Sequence, residues 1–347
     1  MKTSVIIPVW KGAPVIEKCL AALFSTYAAL ESFEVICVDN ASSDDSASRI
    51  AQSYPQAHLI HQPVNLGFSG GINAGVDAAT GDVFILLNQD CIVQPGWHSA
   101  LLQALQDYPQ FGIMGCAILN PDGSINHTGA VLNKPELQGL HLTTLPDSAV
   151  HQVDYATGAA LAIRRQTWEE VGCFDEGFYP AYFEDVDYAY RARRKGIETG
   201  CALQAKAQHL FSSREWEAAP LRHAVITHTS RYRFACKHLS GIDIAQFFAS
   251  DKEQLQSIQH MNHAIGRMIA ARTTLRSLRD ILEKRHCDLA DNISEEDKAQ
   301  IKTGLAHVFQ AAFDRAKLLT PDLPLALDAF ASGSYLPEGW ENSLQLR

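Results

Sequence analysis

The sequence predicts an α/β fold: a Rossmann-like, mostly parallel sheet with helices on both faces, followed by a C-terminal α-helical region. Three observations carry this expectation. Short β-branched runs alternate with helically spaced segments over the first 90 or so residues, the pattern of strands joined by helical crossovers. The stretch "DVFILLNQD" (82–90) holds an unbroken apolar run, as a strand covered on both faces requires. Beyond about residue 240, apolar side chains recur every three or four positions, which is helix periodicity.

Taken in order, "SVIIPVW" (4–10) is the first strand, and "APVIEKCLAALFSTY" (13–27) is a helix with Val15, Ile16, Cys19, Leu20 and Leu23 on one face. "FEVICVDN" (33–40) is a second buried strand. "SSDDSASRIAQSY" (42–54) is a helix whose leading Ser and Asp residues can cap free N–H groups. "AHLIHQ" (57–62) is a third strand, "GGINAGVDAA" (70–79) a helix diluted by glycine, and 82–90 the fourth strand. The pattern is irregular from about 105 to 165, with a turn at "NPDGS" (120–124). "TGAALAIRRQTWEEVG" (157–172) reads as a strand entering a helix. Leu255, Ile258, Met261, Ile265, Met268, Leu275, Leu278 and Leu282 keep helical spacing, and Ser294 with Asp297 makes a capping box for a helix reaching about 319. The prolines at 321, 324 and 337 mark a tail. Two domains are expected, 1–240 and 241–347.

Composition narrows the function classes. A chain of 347 residues with 46% hydrophobic and 20% charged side chains is an ordinary globular protein. A net charge of −10 argues against a nucleic-acid binder. The eight cysteines occur singly, with no C-x-x-C pair, so neither a zinc site nor a disulfide framework is expected. The N-terminal apolar run is too short for a signal peptide and no stretch approaches a membrane span, so a reduced, cytoplasmic protein is the expectation.

In open sheets of this kind, ligands sit at the carboxyl ends of the strands. That rule gathers Pro8, Val9 and Trp10, Asp39 and Asn40, and Asn88, Gln89 and Asp90 into one cluster. A dinucleotide fingerprint is missing, because "PVWKGAP" has one glycine where three are needed and "NLGFSGGINAG" (65–75) lacks their order. No phosphate-binding P-loop motif is present either. An apolar strand ending in Asn-Gln-Asp delivers a carboxamide and a carboxylate that suit Mg²⁺ or Mn²⁺ shared with a diphosphate; an ordinary strand-end turn is the competing reading. In "FYPAYFEDVDYAYRARRKG" (178–196), Asp187 and Arg191 have favourable helix ion-pair spacing, and Glu184 and Asp185 occupy the first turn.

Six segments, "SVIIPVW", "ICVDNASSDDS", "NLGFSGGINAG", "LLNQD", "TGAALAIRR" and "FDEGFYPAYFEDVDYAYRARRKG", follow the order and spacing of glycosyltransferase family 2. Over about residues 1–240 the chain resembles the bacterial rhamnosyltransferase-like members. The resemblance implies a GT-A fold, a nucleotide-diphosphate sugar donor and inversion at the anomeric carbon. By position, Pro8, Val9 and Trp10 resemble the segment lining the base, and Asp39 the acid that bonds base or ribose. Asn65, Gly71 and Asn73 resemble residues around the donor phosphates or sugar. Asn88, Gln89 and Asp90 stand where the family has D-x-D, so metal binding is expected to rest on Asp90, completed by His209. Asp185 is the expected general base, with Glu184 beside it. His127 matches a subgroup pattern, and a structural role is expected for it. Arg231, Arg233 and Lys237 in "SRYRFACKH" (230–238) could contact diphosphate or an anionic acceptor.

The expected activity is a metal-dependent inverting glycosyl transfer for surface polysaccharide, using Mn²⁺ or Mg²⁺. The donor expected is dTDP- or UDP-linked, rhamnose being the subgroup's sugar, and the acceptor a glycan or polyprenyl-linked hydroxyl. A nucleotidyltransferase-like enzyme and a catalytically inactive sugar-nucleotide binder are the alternatives. The basic C-terminal helices, with Arg267, Arg272, Arg276, Arg279, Lys284 and Arg285, could pack on the catalytic domain, form a homodimer or touch a membrane peripherally.

Overall fold

The computed structural model describes the chain except residues 28–32, 145–146, 211–218, 291 and 320–347. The tail prolines lie outside the described residues. The chain divides into two compact units, one of Met1–Asn133 with Gln138–Ser212, the other of Lys134–Leu137 with Ser213–Arg347.

The first unit is built on a ten-stranded sheet. Its N-terminal block is β1 (Thr3–Val9), β2 (Phe33–Asp39), β3 (His58–His61) and β4 (Val83–Leu87), ordered β3-β2-β1-β4 and wholly parallel. Crossovers run through α1 (Ile16–Tyr27), α2 (Ser46–Ser53) and α3 (Gly67–Asp77). Val5, Ile6, Ile7, Phe84, Ile85, Leu86 and Leu87 are fully buried, so the apolar runs read from sequence are strands covered on both faces. β11 (Ala160–Arg164) lies antiparallel on β4, with Ala160 opposite Leu87, and leads directly into α5 (Arg165–Val171).

The segment expected to be irregular is more regular than its sequence implies. After β5 (Cys91–Val93) and α4 (Trp97–Asp107) comes β6 (Phe111–Leu119), which sits between β11 and β12 (Glu198–His209). The glycines in "FGIMGCAIL" look like breaks but serve close packing. A Cβ at Gly115 would meet that of Ala156 at 2.3 Å, and one at Gly112 would meet Thr167 Oγ1 at 2.3 Å. Three short strands follow, β7 (Ile125–His127), β8 (Ala130–Leu132) and β9 (Gly139–His141), and β10 (Val150–Val153) closes the sheet edge against β12. α6 (Glu184–Arg194) starts where the sequence places it. It packs on an aromatic cluster in which Phe174 stacks on Tyr188 at 4.6 Å and Tyr188 on Trp168 at 5.7 Å.

The second unit contains α7 (Pro220–His238), α8 (Gly241–Ser257), α9 (Met261–Arg276), α10 (Leu278–Leu289) and α11 (Glu295–Leu319). α7 belongs here because it packs along α9, so the division falls at 212 and not at 240. The long apolar stripe is three helices, interrupted at 258–260 and 277, and Leu275 is 41% exposed. Ser294 and Asp297 form the expected capping pair, with the Asp297 N–H donating to Ser294 Oγ at 3.0 Å.

Several basic residues of this unit are buried on internal partners. Arg231 pairs with Asp251, Arg233 with Asp280 at 3.1 Å, and Lys237, fully buried, with Asp288 at 2.7 Å. The expectation that these three reach a diphosphate or acceptor is corrected: a buried cation already holding its counter-ion is an internal structural group. Arg267 bonds the Asp251 carbonyl and Gln254, and Arg285 the Leu239 carbonyl. Arg279 is paired with Glu283 and Lys284 with Asp288. Of the six basic residues read as a helical face, Arg267 and Arg285 are buried, whereas Arg276 and Arg279 are exposed. Among the described residues no helix is long and apolar enough to cross a membrane.

Candidate active site

The carboxyl ends of β1, β2 and β4 meet as the topology requires. Val9 and Asp39 are register partners, and the Asn40 N–H donates to the Val9 carbonyl at 2.8 Å. Asp39, 5% exposed, accepts from the Ser42 N–H at 3.0 Å and lies 3.2 Å from His61 Nδ1. Pro8 and Trp10 are half-buried at this edge, with the Lys11 ammonium 4.8 Å from the Trp10 ring centre.

Gln89 is not a free donor contact. Its amide is clamped on the backbone of Trp10, accepting from the N–H at 3.1 Å and donating to the carbonyl at 3.0 Å. A side chain at Gly12 would strike Gln89 Oε1 at 2.2 Å. Gln89 thus shapes the segment expected to line the base.

Two asparagines expected near the donor make bonds within the protein. Asn65 Oδ1 accepts the Gly67 N–H at 2.8 Å, which starts α3 three residues earlier than its glycines suggest; Gly67 itself sits at φ +69°. Asn73 is buried and makes three bonds, to the Phe174 carbonyl (3.1 Å), the Phe174 N–H (3.0 Å) and Glu176 (2.9 Å). Both amide hydrogens and one Oδ1 lone pair are used inside the protein, so Asn73 staples α3 to the 174–176 loop. Gly71 allows close packing, since a Cβ there would meet Asn40 Nδ2 at 2.8 Å and Pro8 Cβ at 3.1 Å.

Asp90 and His209 come together. β5 runs antiparallel to β12 with Cys91 opposite His209, and the Leu210 N–H donates to the Asp90 carbonyl at 3.0 Å. Asp90 Oδ1 and His209 Nε2 are 3.1 Å apart, both half-buried. Cys91 Sγ shares the cluster but donates to the Ala159 carbonyl at 3.4 Å, and burial pushes its thiol well above the usual range. Hard divalent ions such as Mg²⁺ and Mn²⁺ prefer oxygen and nitrogen donors to sulfur. The remaining oxygen and nitrogen donors fit a divalent ion with open positions for phosphate oxygens.

The carboxylates at the head of α6 have separated roles. Asp187 is fully buried and bonded to Arg191 at 2.8 Å, and Arg191 also donates to the Val171 and Cys173 carbonyls. This is the helix ion pair the sequence spacing implies. Asp185 is half-buried, and its Oδ2 accepts the Gly158 N–H at 3.1 Å while Oδ1 accepts the Val186 N–H at 2.8 Å. Burial pushes its carboxyl up to about 6, partly opposed by those two bonds. Glu184 is buried, with Oε2 lacking a hydrogen-bond partner, and burial, then Asp185 and Asp187, hold its carboxyl well above the usual range. Tyr182 and Phe183 precede them with φ of +77° and +67°, strained conformations for aromatic residues.

Residue 158 links these groups. Its neighbour Ala159 accepts the Asn88 N–H at 2.9 Å, so the turn that holds Asp185 also holds the Asn-Gln-Asp segment. Sequence reasoning does not single out Gly158, because its role is a backbone amide and leaves no side-chain signature. The only signal is the glycine itself: a Cβ would meet the Phe68 ring at 2.8 Å.

The family model for Glycosyl transferase family 2 matches residues 4–170. The N-acetylglucosaminyl-diphospho-decaprenol L-rhamnosyltransferase of Mycobacterium tuberculosis is 26% identical over 264 residues, 68% of this chain and 85% of that protein. The low-salt glycan biosynthesis hexosyltransferase Agl10 of Haloferax volcanii is 28% identical, over 59% of this chain and 66% of its own. Among solved structures, S. aureus TarS residues 1–349 in complex with UDP superposes with a TM-score of 0.51 at 15% identity, covering 100% of this chain and 90% of that one. The shared architecture is the GT-A fold.

Proposed function

We propose that this chain, whose residues 4–170 match the family model of glycosyl transferase family 2, is an inverting glycosyltransferase of that family. It moves a sugar from a nucleotide-diphosphate donor to a hydroxyl of a glycan or lipid-linked acceptor during polysaccharide synthesis. The M. tuberculosis relative's activity favours L-rhamnose, with dTDP or UDP as the carriers to try first. The relatives' activities do not favour the nucleotidyltransferase or bare-binder alternatives.

One observation carries the reading. Asp185, with its carboxyl near 6, is fixed by Gly158 one residue from the Ala159–Asn88 bond that anchors the strand-end Asn-Gln-Asp. A carboxylate so poised is ionised at neutral pH yet basic enough to take a proton. In the step proposed, the acceptor oxygen attacks the anomeric carbon as Asp185 takes its proton. The bond from that carbon to the diphosphate oxygen breaks, and the nucleoside diphosphate departs with the electron pair. Glu184, whose carboxyl burial pushes well above the usual range, resists ionising beside the attacking oxygen. Asp90 and His209 would hold a divalent cation, Mn²⁺ or Mg²⁺, which supplies positive charge for the leaving diphosphate. Trp10 and Asp39 are the groups we assign to the base and ribose.

The test is incubation with a panel of nucleotide sugars, Mn²⁺ and a polyprenyl-diphosphate-sugar acceptor. Acceptor-dependent release of nucleoside diphosphate that Asp185→Asn abolishes is the expected result. Release of pyrophosphate, or release unaffected by that substitution, overturns it.

A further inference from the structure

His127, which the proposed chemistry leaves unused, ends β7 with 1% of its surface exposed. Its Nε2 accepts the Thr157 N–H at 3.2 Å. The next amide, Gly158 N–H, is the one that donates to Asp185 Oδ2. The turn is closed locally by the Ala159 N–H on Thr157 Oγ1 at 3.3 Å, and the Phe68 ring blocks any side chain at 158. Two consecutive peptide N–H groups therefore point to two different acceptors, an imidazole and the base.

We infer that His127 is a positioning residue for the reaction: by holding the Thr157 N–H it fixes the peptide planes of the turn and aims the Gly158 N–H at Asp185. This inference rests on the reading of Asp185 as base.

The choice of histidine has a physical reason. The position demands a buried, uncharged acceptor, because a protonated ring would point N–H against N–H. Burial, then His141 and His151, depress the His127 ring to about 3, and the His141 ring packs edge-on at 4.8 Å. With Nε2 accepting, the ring proton belongs on Nδ1. His127 thus stays an acceptor across any practical assay range. Neighbours that interact electrostatically with Asp185 include Glu184, whose carboxyl burial pushes well above the usual range, and Tyr155, whose phenol is pushed up by burial and by the Asp185 and Asp154 charges. Both variants share those neighbours and the Asp90–His209 site, so a difference between their acidic limbs at fixed Mn²⁺ reports Asp185. A lost or misaligned N–H bond destabilises the carboxylate and raises that limb.

The experiment compares His127→Gln with His127→Asn, each folded by circular dichroism and gel filtration, in nucleoside-diphosphate release assays from pH 5 to 9. Gln places its amide oxygen near the Nε2 position, and Asn is too short to do so. The limb is expected to rise by about 0.5–1 pH unit in His127→Asn and to return toward wild type in His127→Gln, with donor KM changed less than about twofold in both. Identical limbs in the two variants overturn the inference, whichever way both fall. So does folding of His127→Gln alone, since that outcome makes the role purely structural. Asp185→Asn is run alongside: if it stays active, the reading of the base fails, whereas an inactive Asp185→Asn with indistinguishable His127 variants removes only this inference.

Discussion

His209 Nε2 lies 3.1 Å from Asp90 Oδ1, although 119 positions separate the two residues. The pairing of β5 with β12 produces this approach, so it is a property of the sheet and not of a flexible loop. If the pair holds the catalytic cation, Asp90→Ala and His209→Ala each lower activity by about 100-fold at fixed Mn²⁺, the scale of losing one group that stabilises developing charge. Both also raise the Mn²⁺ concentration needed for half-maximal rate. Chelation of the wild type gives a comparable loss. A Mn²⁺ titration of nucleoside-diphosphate release checks this, and a rate indifferent to chelator contradicts it.

Asp185 links activity to pH and stability with opposite signs. A base with its carboxyl near 6 is active when ionised, so the rate falls about tenfold per unit below that value. Asp185→Asn lowers kcat by roughly 10²- to 10⁴-fold. In the folded chain this carboxyl holds its proton more tightly than the ordinary value of 3.8, so between about 4 and 6 the folded state binds more protons than the unfolded one. Its contribution to stability therefore falls as pH rises through that window and stays lower above it. Asn carries no charge but turns its NH2 toward one of the two backbone N–H donors. Its stability relative to wild type should therefore improve by on the order of 1–2 kcal/mol on going from pH 4 to pH 7.5, after discounting for partial solvent access. Thermal melts at the two pH values measure it.

Glu184 tests the separation of the adjacent acids. Its carboxyl is buried with one oxygen unpartnered and is held far up the scale, the state expected of a neutral acid. Glu184→Gln is then close to isosteric and isoelectric, and leaves the acidic limb within about 0.2 pH unit of wild type. Were Glu184 ionised, removing its charge would instead move the limb down. The pH–rate profile of this one variant decides between the two.

The legible parts of the molecule are those written in side-chain pattern. Apolar runs give β1, β2 and β4, capping residues give the start of α11, and Asp187 with Arg191 can be paired from their spacing alone. What sequence hides is backbone geometry and satiety. Gly158 acts through an amide that any residue possesses, and β6 is masked by glycines that packing demands. Asn73 and Gln89 have the chemistry of ligand contacts, but their amides are engaged inside the protein. Arg231, Arg233 and Lys237 mislead for the same reason: a basic helix face and a buried ion network share one composition.

That network yields the sharpest stability prediction. Asp251 is 2% exposed, and Arg231, Arg267 and the Tyr232 hydroxyl all converge on its carboxylate, the hydroxyl at 2.6 Å and Arg267 at 3.0 Å. Removing the acid leaves two guanidinium groups buried together, so Asp251→Ala should cost about 3–5 kcal/mol. Replacing all three charged groups removes the uncompensated charge as well. The triple variant Arg231→Met, Asp251→Leu, Arg267→Met should therefore recover part of that loss, the buried Tyr232 hydroxyl being left unpaired. Denaturant unfolding of the single and triple variants separates this from a ligand-binding role for Arg231. If Arg231→Met weakened nucleotide binding yet left the unfolding midpoint unchanged, the arginine would belong to a phosphate site after all. The buried geometry predicts the reverse, a lower midpoint with unaltered nucleotide affinity in the protein that remains folded.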